Sequence, residues 1–105
     1  MIEFFKKIFG VQSTNFKQLM EEGAIVIDVR TPGEFSEGHI EGSVNIPLNK
    51  LSHNLHKLKA KNKPIITCCA SGMRSASAKG ILHSNGYENV YNGGAWHLLD
   101  KKLNN

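Results

Sequence analysis

The sequence has few of the features that mark secreted, membrane-spanning or disordered proteins. Its 105 residues include only 2 cysteines and 3 prolines. No apolar run approaches the ~20 residues that a membrane-spanning helix needs. The two cysteines are adjacent, so they cannot form the disulfide framework of a small secreted protein. Since the chain also lacks Pro-, Ser- or Gln-rich tracts and repeats, we predict one globular domain, located in the cytoplasm and without membrane contact.

Arginine is also scarce, which bears on the meaning of the net charge of +4. The only arginines are Arg30 and Arg74, and the lysines are scattered along the chain. Because arginine is the main reader of base edges, we expect a solvated basic surface and no nucleic-acid binding. The start, "MIEFFKKIFG", lacks the apolar core and cleavage site of a signal peptide. Residues 1–12 are predicted to be an amphipathic segment that packs on a domain formed by residues 13–105.

What the sequence does contain is an alternation of strand-like and helix-like segments. The predicted strands are "AIVIDV" at 24–29, "SVNIP" at 43–47, "PIITC" at 64–68 and "NVYN" at 89–92. The predicted helices are one ending before Gly23, one with a leucine stripe at residues 48, 51, 55 and 58, one from Arg74 to about Ser84, and a closing "AWHLLDKKL". This order predicts an α/β fold with a mainly parallel sheet, in which ligands bind at the carboxyl ends of the strands.

One of these strand ends carries a candidate nucleophile. The third strand ends in "CC" and is followed by "ASGMRSASA". A strand, a loop of small residues and a helix N-terminus together form an anion-binding layout, because backbone N–H groups turn inward there. A cysteine at the mouth of such a loop is held as the reactive thiolate. We predict that Cys69 is the first loop residue and the nucleophile, whereas Cys68 ends the strand and points into the packed sheet.

The residues after Cys69 complete the predicted site. Gly72 permits backbone angles that other residues avoid, and Arg74 offers a permanent charge and a fork of donors to an oxyanion. Ser75 offers a hydroxyl donor or caps the helix. Cys69 and Arg74 are therefore the candidate catalytic residues. The candidate substrate-binding residues are Ala70, Ser71, Gly72, Met73 and Ser75.

A second group of polar residues follows the first strand in "IDVRTPGEF". Asp28 and Arg30 are predicted to support the site: Asp28 accepts backbone N–H bonds, and Arg30 pairs with Glu34 to fix the turn. His39 is predicted to be a hydrogen-bonded structural residue, because a thiolate activated by its loop needs no base. Trp96 is predicted to pack in the core, with a wall beside the Cys69 loop as the alternative.

Three segments together resemble a known family. "IDVRTPGEFSEGHIEGSVNIP", "CCASGMRSASA" and "VYNGGAWHL" are similar, in this order, to the signature regions of single-domain rhodaneses, over about Thr14 to Leu99. The resemblance implies a rhodanese-like α/β domain with a central, mainly parallel five-stranded sheet flanked by helices on both faces. It also implies that Cys69 is the persulfide-forming cysteine and that residues 70–74 form its loop. Cys68 matches a position that often holds tyrosine.

The resemblance implies a sulfurtransferase. It would move a sulfane sulfur from thiosulfate or a persulfide donor to a thiophilic acceptor, cyanide or a thiol, through a Cys69 persulfide. No cofactor is expected, and no metal either, since His53 and His56 lack a third ligand at metal spacing. The expected partners are a small-molecule sulfur donor and its acceptor, with a cysteine desulfurase or an acceptor protein as further candidates. We expect a monomer.

Three alternatives stay open on the sequence. A Cys-loop phosphatase or arsenate reductase carries five residues between its Cys and Arg, whereas four, residues 70–73, separate Cys69 from Arg74. The count becomes five if Cys68 is the nucleophile. A persulfide carrier without thiosulfate activity would share the Cys69 chemistry. An inactive interaction module would usually lack the cysteine. The role of Cys68 ranges from inert filler to a resolving thiol.

Overall fold

The structure is a computed structural model that describes residues 14–58 and 61–104. The predicted amphipathic segment at residues 1–12 lies outside the described residues. The α-helices are α1 (Phe16–Glu21), α2 (Pro32–Glu37), α3 (Met73–Ser84) and α4 (Trp96–Leu103). The strands are β1 (Ile25–Asp28), β2 (Val44–Asn45), β3 (Ile65–Cys69) and β4 (Val90–Ala95). Helices and strands alternate, which confirms the predicted α/β class. None of the described helices is long and apolar enough to cross a membrane.

The four strands form one sheet in the order β2-β1-β3-β4. Each neighbouring pair in it is parallel. The sheet therefore differs from the five strands that the resemblance implied, since residues 14–58 and 61–104 contain four. Those four correspond to the four apolar runs found in the sequence, and no run in the described residues was left for a fifth. Because the strands are parallel, their carboxyl ends share one edge of the sheet, where Asp28 of β1 lies opposite Cys68 of β3.

Apolar packing covers both faces of the sheet, because consecutive strand residues point to opposite sides. One face packs against α3 and the segment after β2, in a cluster that we call the α3-side core: Ile27, Val29, Ile46, Leu51, Leu58, Ile65, Cys69, Ala78, Leu82, Tyr87 and Val90. The other face packs against α1 and α4, in the α4-side core: Phe16, Leu19, Val26, Ile40, Ile66, Cys68 and Leu99. The expected helices on both faces are confirmed, and the two cysteines belong to different cores.

The leucine-striped segment after β2 was expected to form one helix, and the structure divides it. It forms two short 3₁₀ helices, Leu48–His53 and Leu55–Lys57, separated by Asn54. Leu51 and Leu58 are nevertheless buried in the α3-side core. The physical reason is that leucines spaced by three residues also share one face of a 3₁₀ helix, which has three residues per turn. Periodicity alone therefore identified the buried face and not the helix type.

Strand β4 contains an irregularity next to the site. Thr67 pairs with Asn92 and Cys69 pairs with Ala95, so β4 has one residue more than β3 between these two pairs. Gly93 and Gly94, which follow the strand predicted at 89–92, also lie inside β4. Gly94 has a φ of +78°, and a Cβ on Gly93 would lie 2.8 Å from the Thr67 carbonyl oxygen. Glycine is therefore required at both positions, and the irregularity directly follows Asn92, whose side chain contacts Ser75 in α3.

Candidate active site

Cys69 lies at the carboxyl end of β3, where the loop to α3 begins. It is the last residue of the strand, so the expectation that the strand ends at Cys68 is wrong by one residue. The side chain of Cys69 points to the α3 side of the sheet and has no exposed surface. The strand continues through Cys69 because Cys69 still pairs with Ala95 of β4. The strand therefore fixes the position of the sulfur, while the loop surrounds it.

The Cys69 sulfur sits in a cradle of backbone N–H groups. The Gly72 N–H donates to Sγ over 3.0 Å, and the Ser75 N–H donates over 3.3 Å. These amides converge because Gly72 caps α3 with a φ of +104°, in the left-handed region that favours glycine. Helix α3 begins at Met73, one residue before the predicted start. The predicted layout of strand, tight loop and helix N-terminus is therefore present.

Ser75 supports the cradle from inside the first turn of α3. It is buried, and its Oγ lies 3.5 Å from the Cys69 Sγ and donates to the Asn92 Oδ1 over 2.6 Å. Asn92 also accepts from the Gly94 N–H over 2.9 Å. On the same face, the Thr67 hydroxyl donates to the Ser75 carbonyl oxygen over 2.9 Å. Ser75 was predicted to offer a hydroxyl or to cap the helix: its hydroxyl lies beside the sulfur, and it does not cap α3.

Asn92 and Thr67 are the residues near the sulfur that the sequence analysis missed. Asn92 was part of a quoted segment, "VYNGGAWHL", but was assigned no role. The available signal was a polar residue directly before two glycines at a strand end, a combination typical of a turn or an irregular strand. Thr67 gave a weaker signal, as a polar residue within an apolar run.

The surroundings of Cys69 favour its charged form. Burial alone would raise the pKa of this thiol, but its hydrogen bonds with the Ser75 side chain and with the backbone N–H groups of Ser75, Gly72 and Ser71 outweigh it, so the pKa of Cys69 is lowered from its ordinary value. Hydrogen bonds to a charged group stabilise that charge. The lowered pKa follows from the loop amides and one hydroxyl. A thiolate held in this way is a nucleophile without a neighbouring base.

Cys68 has the opposite environment. It is fully buried in the α4-side core among apolar residues such as Ile66 and Leu99. Burial and the nearby Asp28 carboxylate raise the pKa of the Cys68 thiol to about 12. Because adjacent strand residues point to opposite faces, the two sulfurs do not face each other. This geometry supports Cys68 as an inert core residue. It supports neither a resolving thiol nor the phosphatase alternative, in which Cys68 would be the nucleophile.

Arg30 pairs with Asp28, whereas a pair with Glu34 was predicted. The guanidinium contacts both Asp28 oxygens, with 2.8 Å between Nη2 and Oδ2 and 2.9 Å between Nε and Oδ1. Asp28 also accepts the Arg30 backbone N–H over 3.0 Å, as predicted for a structural carboxylate. The only contact from Arg30 to Glu34 is with its backbone oxygen, over 3.3 Å. Asp28 takes the pair because both side chains are buried beside each other, while Glu34 lies nearer the surface.

Arg74 was predicted to face an oxyanion in the loop, but its guanidinium is engaged elsewhere. It forms two parallel contacts with the Glu34 carboxylate of α2, 2.8 Å from Nη1 to Oε1 and 3.0 Å from Nη2 to Oε2. Both side chains are about one-third exposed, at 35% and 37%. The sequence could not show this pair, because the two residues are 40 positions apart.

The remaining predicted loop residues lie on the surface. Ala70, Ser71 and Met73 are exposed, and Met73 has 79% of its surface accessible. A pocket of about 360 Å³ borders the loop at Ala70, and its other walls are Arg30, Glu34, Glu37, Gly38, Trp96 and His97. Trp96 therefore forms a wall near the loop while also packing on the α4-side core, so both predicted roles apply. Of the predicted substrate-binding residues, Gly72 and Ser75 therefore contact the Cys69 sulfur, and Ala70 borders the pocket.

His39 lies away from the sulfur and is engaged in local contacts. Its ring stacks on Phe35 with 3.7 Å between centroids, and its Nδ1 lies 2.7 Å from the Phe35 carbonyl oxygen. These contacts agree with the predicted structural role.

The ends of β1, β3 and β4 and the start of α3 together form the site.

Known proteins share this architecture and sequence. The profile of the family described as Rhodanese-like domain matches residues 13–95. YqhL of Bacillus subtilis is 41% identical over 69 residues, which cover 66% of this chain and 54% of YqhL. The thiosulfate sulfurtransferase GlpE of Ectopseudomonas mendocina is 34% identical over 90 residues, which cover 83% of this chain and 76% of GlpE. A rhodanese with anions from E. coli is 33% identical with a TM-score of 0.67, covering 70% of this chain and 88% of that one.

These similarities agree with the expectations from the sequence. The match covers only about half of the length of YqhL, and three quarters of the length of GlpE. GlpE is a thiosulfate sulfurtransferase, which is the enzyme class expected from the sequence. From its profile match, its relatives and its fold, the chain belongs to the rhodanese-like domain family.

Proposed function

We propose that this protein is a sulfurtransferase that carries sulfur as a persulfide on Cys69. The observation that carries the proposal is the cradle around the Cys69 sulfur, in which the Gly72 and Ser75 N–H groups lie 3.0 and 3.3 Å from Sγ. These donors, with the Ser75 hydroxyl, lower the pKa of the Cys69 thiol. The similarity to GlpE, a thiosulfate sulfurtransferase, supports the same chemistry.

The proposed reaction has two displacement steps. In the first, the Cys69 thiolate attacks the outer sulfur of thiosulfate. A bond forms between the Cys69 Sγ and that sulfur, and the bond to the sulfonate sulfur breaks, so that sulfite leaves with the electron pair. In the second, a thiophilic acceptor such as cyanide or a thiol attacks the terminal sulfur of the persulfide. Cyanide forms a carbon–sulfur bond and leaves as thiocyanate, and the Cys69 thiolate is restored.

The loop is suited to the persulfide intermediate. The terminal sulfur of the persulfide carries a negative charge. The backbone N–H groups that point at the Cys69 Sγ stabilise negative charge on the bound sulfur. The partners of this chemistry are part of the proposal: a small-molecule donor and acceptor, or a cysteine desulfurase and an acceptor protein.

A phosphatase is less well supported. A five-residue loop would need Cys68 as the nucleophile, yet Cys68 lies in the α4-side core, and its pKa is raised to about 12. We therefore expect no hydrolysis of an aryl phosphate, and hydrolysis that depends on Cys69 would contradict this expectation.

The experiment is a single turnover without an acceptor. Mixing the protein with excess thiosulfate should release about one sulfite per protein, and adding cyanide should then release thiocyanate. Cys69→Ser should release neither, while Cys68→Ala should release both like the wild type. Sulfite release by Cys69→Ser, or none by the wild type with any sulfur donor, would contradict the proposal.

A further inference from the structure

Glu34 forms an ion pair with Arg74, the only cationic residue of the active-site loop at residues 70–74. The Arg74 guanidinium is held by both carboxylate oxygens of Glu34, at 2.8 and 3.0 Å. A bidentate pair of this kind is the strongest common arrangement between these two groups. A separate pocket of about 270 Å³ borders Arg74, and its other walls are Val29, Thr31, Pro47, Leu48 and Asn49. Arg74 is not among the walls of the pocket that touches the loop at Ala70.

The Glu34 carboxylate is itself held in place. It is the third residue of α2, and its Oε1 accepts from the Thr31 backbone N–H over 2.9 Å, while the Thr31 hydroxyl accepts from the Glu34 N–H. This is a complete capping box. Hydrogen bonds from Arg74 and Thr31 lower the pKa of Glu34 to about 2, so the carboxylate stays charged throughout the neutral range. The acceptor for Arg74 is therefore fixed before any substrate arrives.

The other arginine near the loop is also neutralised. Arg30 is buried and paired with Asp28 at 2.8 Å. The pocket beside Ala70 thus contains Arg30 and Glu34, each already paired, and the exposed carboxylate of Glu37. Together with the lowered pKa of Cys69, these groups leave the surface beside the Cys69 loop without a free guanidinium and with negative charge. A donor with two negative charges meets repulsion there that a less charged donor meets less strongly.

We propose that Glu34 determines the charge of the sulfur donor: by holding Arg74, it disfavours dianionic donors and favours donors of lower negative charge, such as a persulfide on a peptide or protein. Glu34 is a positioning residue, since it acts through Arg74. This inference rests on the proposed sulfurtransferase function and names the class of its donor.

Two small donors that differ in charge test this inference. Thiosulfate carries two negative charges, and methanethiosulfonate carries one. Both donors transfer their outer sulfur. The Cys69 thiolate bonds to that sulfur, the sulfur–sulfur bond of the donor breaks, and sulfite or methanesulfinate leaves with the electron pair. The acceptor is cyanide in both assays. Any difference between the donors therefore arises before or during the first step.

The informative variant is Glu34→Gln, because glutamine keeps the capping box but removes the charge that holds Arg74. We expect the KM for thiosulfate to fall about tenfold while kcat changes less than twofold, because a released guanidinium gains a charge-assisted contact with the donor. The KM for methanethiosulfonate should fall by a smaller factor. Glu34→Asp keeps the charge but shortens the side chain by one methylene, so it should lower the KM for thiosulfate by a smaller factor, and it serves as the second variant if Glu34→Gln does not fold.

Two further variants isolate the cause. Adding Arg74→Gln to Glu34→Gln should remove the gain, because the two side chains act as one unit. Glu41→Gln removes one exposed carboxylate elsewhere and should leave the KM for thiosulfate unchanged within twofold. If Glu34→Gln alters neither KM, or alters both KM values equally, the donor inference is overturned. If no donor transfers sulfur to Cys69 at all, the proposed function itself fails, which is a different outcome.

Discussion

Cys68 and Cys69 are neighbours in one strand, yet the two faces of the sheet make them chemically different. Both side chains have no exposed surface. On the α4 side, Cys68 meets apolar packing, and its pKa rises to about 12. On the α3 side, Cys69 meets the loop amides and Ser75, and its pKa falls below the ordinary value. Burial alone therefore does not determine the reactivity of a thiol: the hydrogen-bond donors aimed at the sulfur decide it.

The largest expected consequence of this difference is in alkylation. With iodoacetamide near pH 7.5, the folded protein should be labelled at Cys69 at least about 100-fold faster than at Cys68, because the thiolate is the reacting form. The rate at Cys69 should rise with pH and level off at a pH below that of an ordinary cysteine, since the pKa of Cys69 is lowered. Peptide mass spectrometry over a time course measures both rates.

A denatured sample provides the control for this experiment. In urea, both cysteines are expected to react at similar rates, because the two environments are lost. Comparable labelling of Cys68 and Cys69 in the folded protein would contradict the placement of the two sulfurs on different faces of the sheet.

The second prediction concerns Ser75, which contacts the Cys69 sulfur on the α3 side of the sheet and has no counterpart at Cys68 on the α4 side. Ser75→Ala removes the hydroxyl but keeps the backbone N–H donor. We expect the pKa of Cys69 to rise, and sulfur transfer to fall about tenfold near neutral pH because the thiolate is less populated. The pH profile of alkylation at Cys69 should shift to higher pH, which reports the pKa directly.

Ser77→Ala is the matched control, since Ser77 is an exposed serine of the same helix. It should leave both the profile and the rate unchanged. An unchanged pH profile in Ser75→Ala would mean that the hydroxyl does not stabilise the thiolate.

The smallest expected effect is on stability at Cys68. Cys68→Ala should lower the free energy of unfolding by about 1–2 kcal/mol, because it removes a buried group from the α4-side core. Sulfur transfer should stay within about twofold of the wild type. Urea titrations followed by circular dichroism, together with the thiocyanate assay, measure the two quantities.

The stability of the same variant at alkaline pH tests the raised pKa of Cys68. The pKa of Cys68 is raised to about 12 in the folded state, whereas an unfolded cysteine ionises near ~8.5. The unfolded state therefore releases the Cys68 proton first, and stability falls as the pH rises above that value. Cys68→Ala should show a smaller loss over this range. An identical pH dependence in both proteins would contradict the buried, neutral thiol.

Local patterns were sufficient to predict most of the fold. The uninterrupted apolar run at β1 and the run ending in "CC" at β3 predicted buried strands of a parallel sheet, because strands covered on both faces are apolar throughout. The small residues after Cys69 predicted the anion-binding loop, and Gly72 has the left-handed backbone that this prediction required. These features depend on neighbours in sequence, so the sequence alone specifies them.

Contacts between distant segments were not predictable in the same way. Arg74 could be identified as a loop cation, but its pairing with Glu34 depends on how α2 and α3 meet in space. Asn92 accepts from the Ser75 hydroxyl because β4 lies beside β3 in the sheet, a neighbourhood that local sequence patterns do not reveal. The choice of Asp28 over Glu34 as the partner of Arg30 likewise depends on burial.

Localising the transferred sulfur tests the central claim most directly. After incubation with thiosulfate and removal of excess donor, cleavage after Lys61 and Arg74 yields a peptide of residues 62–74 that contains both cysteines. Fragment ions that separate Cys68 from Cys69 show which residue carries the mass of one additional sulfur. We expect the sulfur on Cys69, its loss on adding cyanide, and its presence in Cys68→Ala. Sulfur on Cys68, or its retention in Cys69→Ser, would show that Cys69 is not the persulfide site.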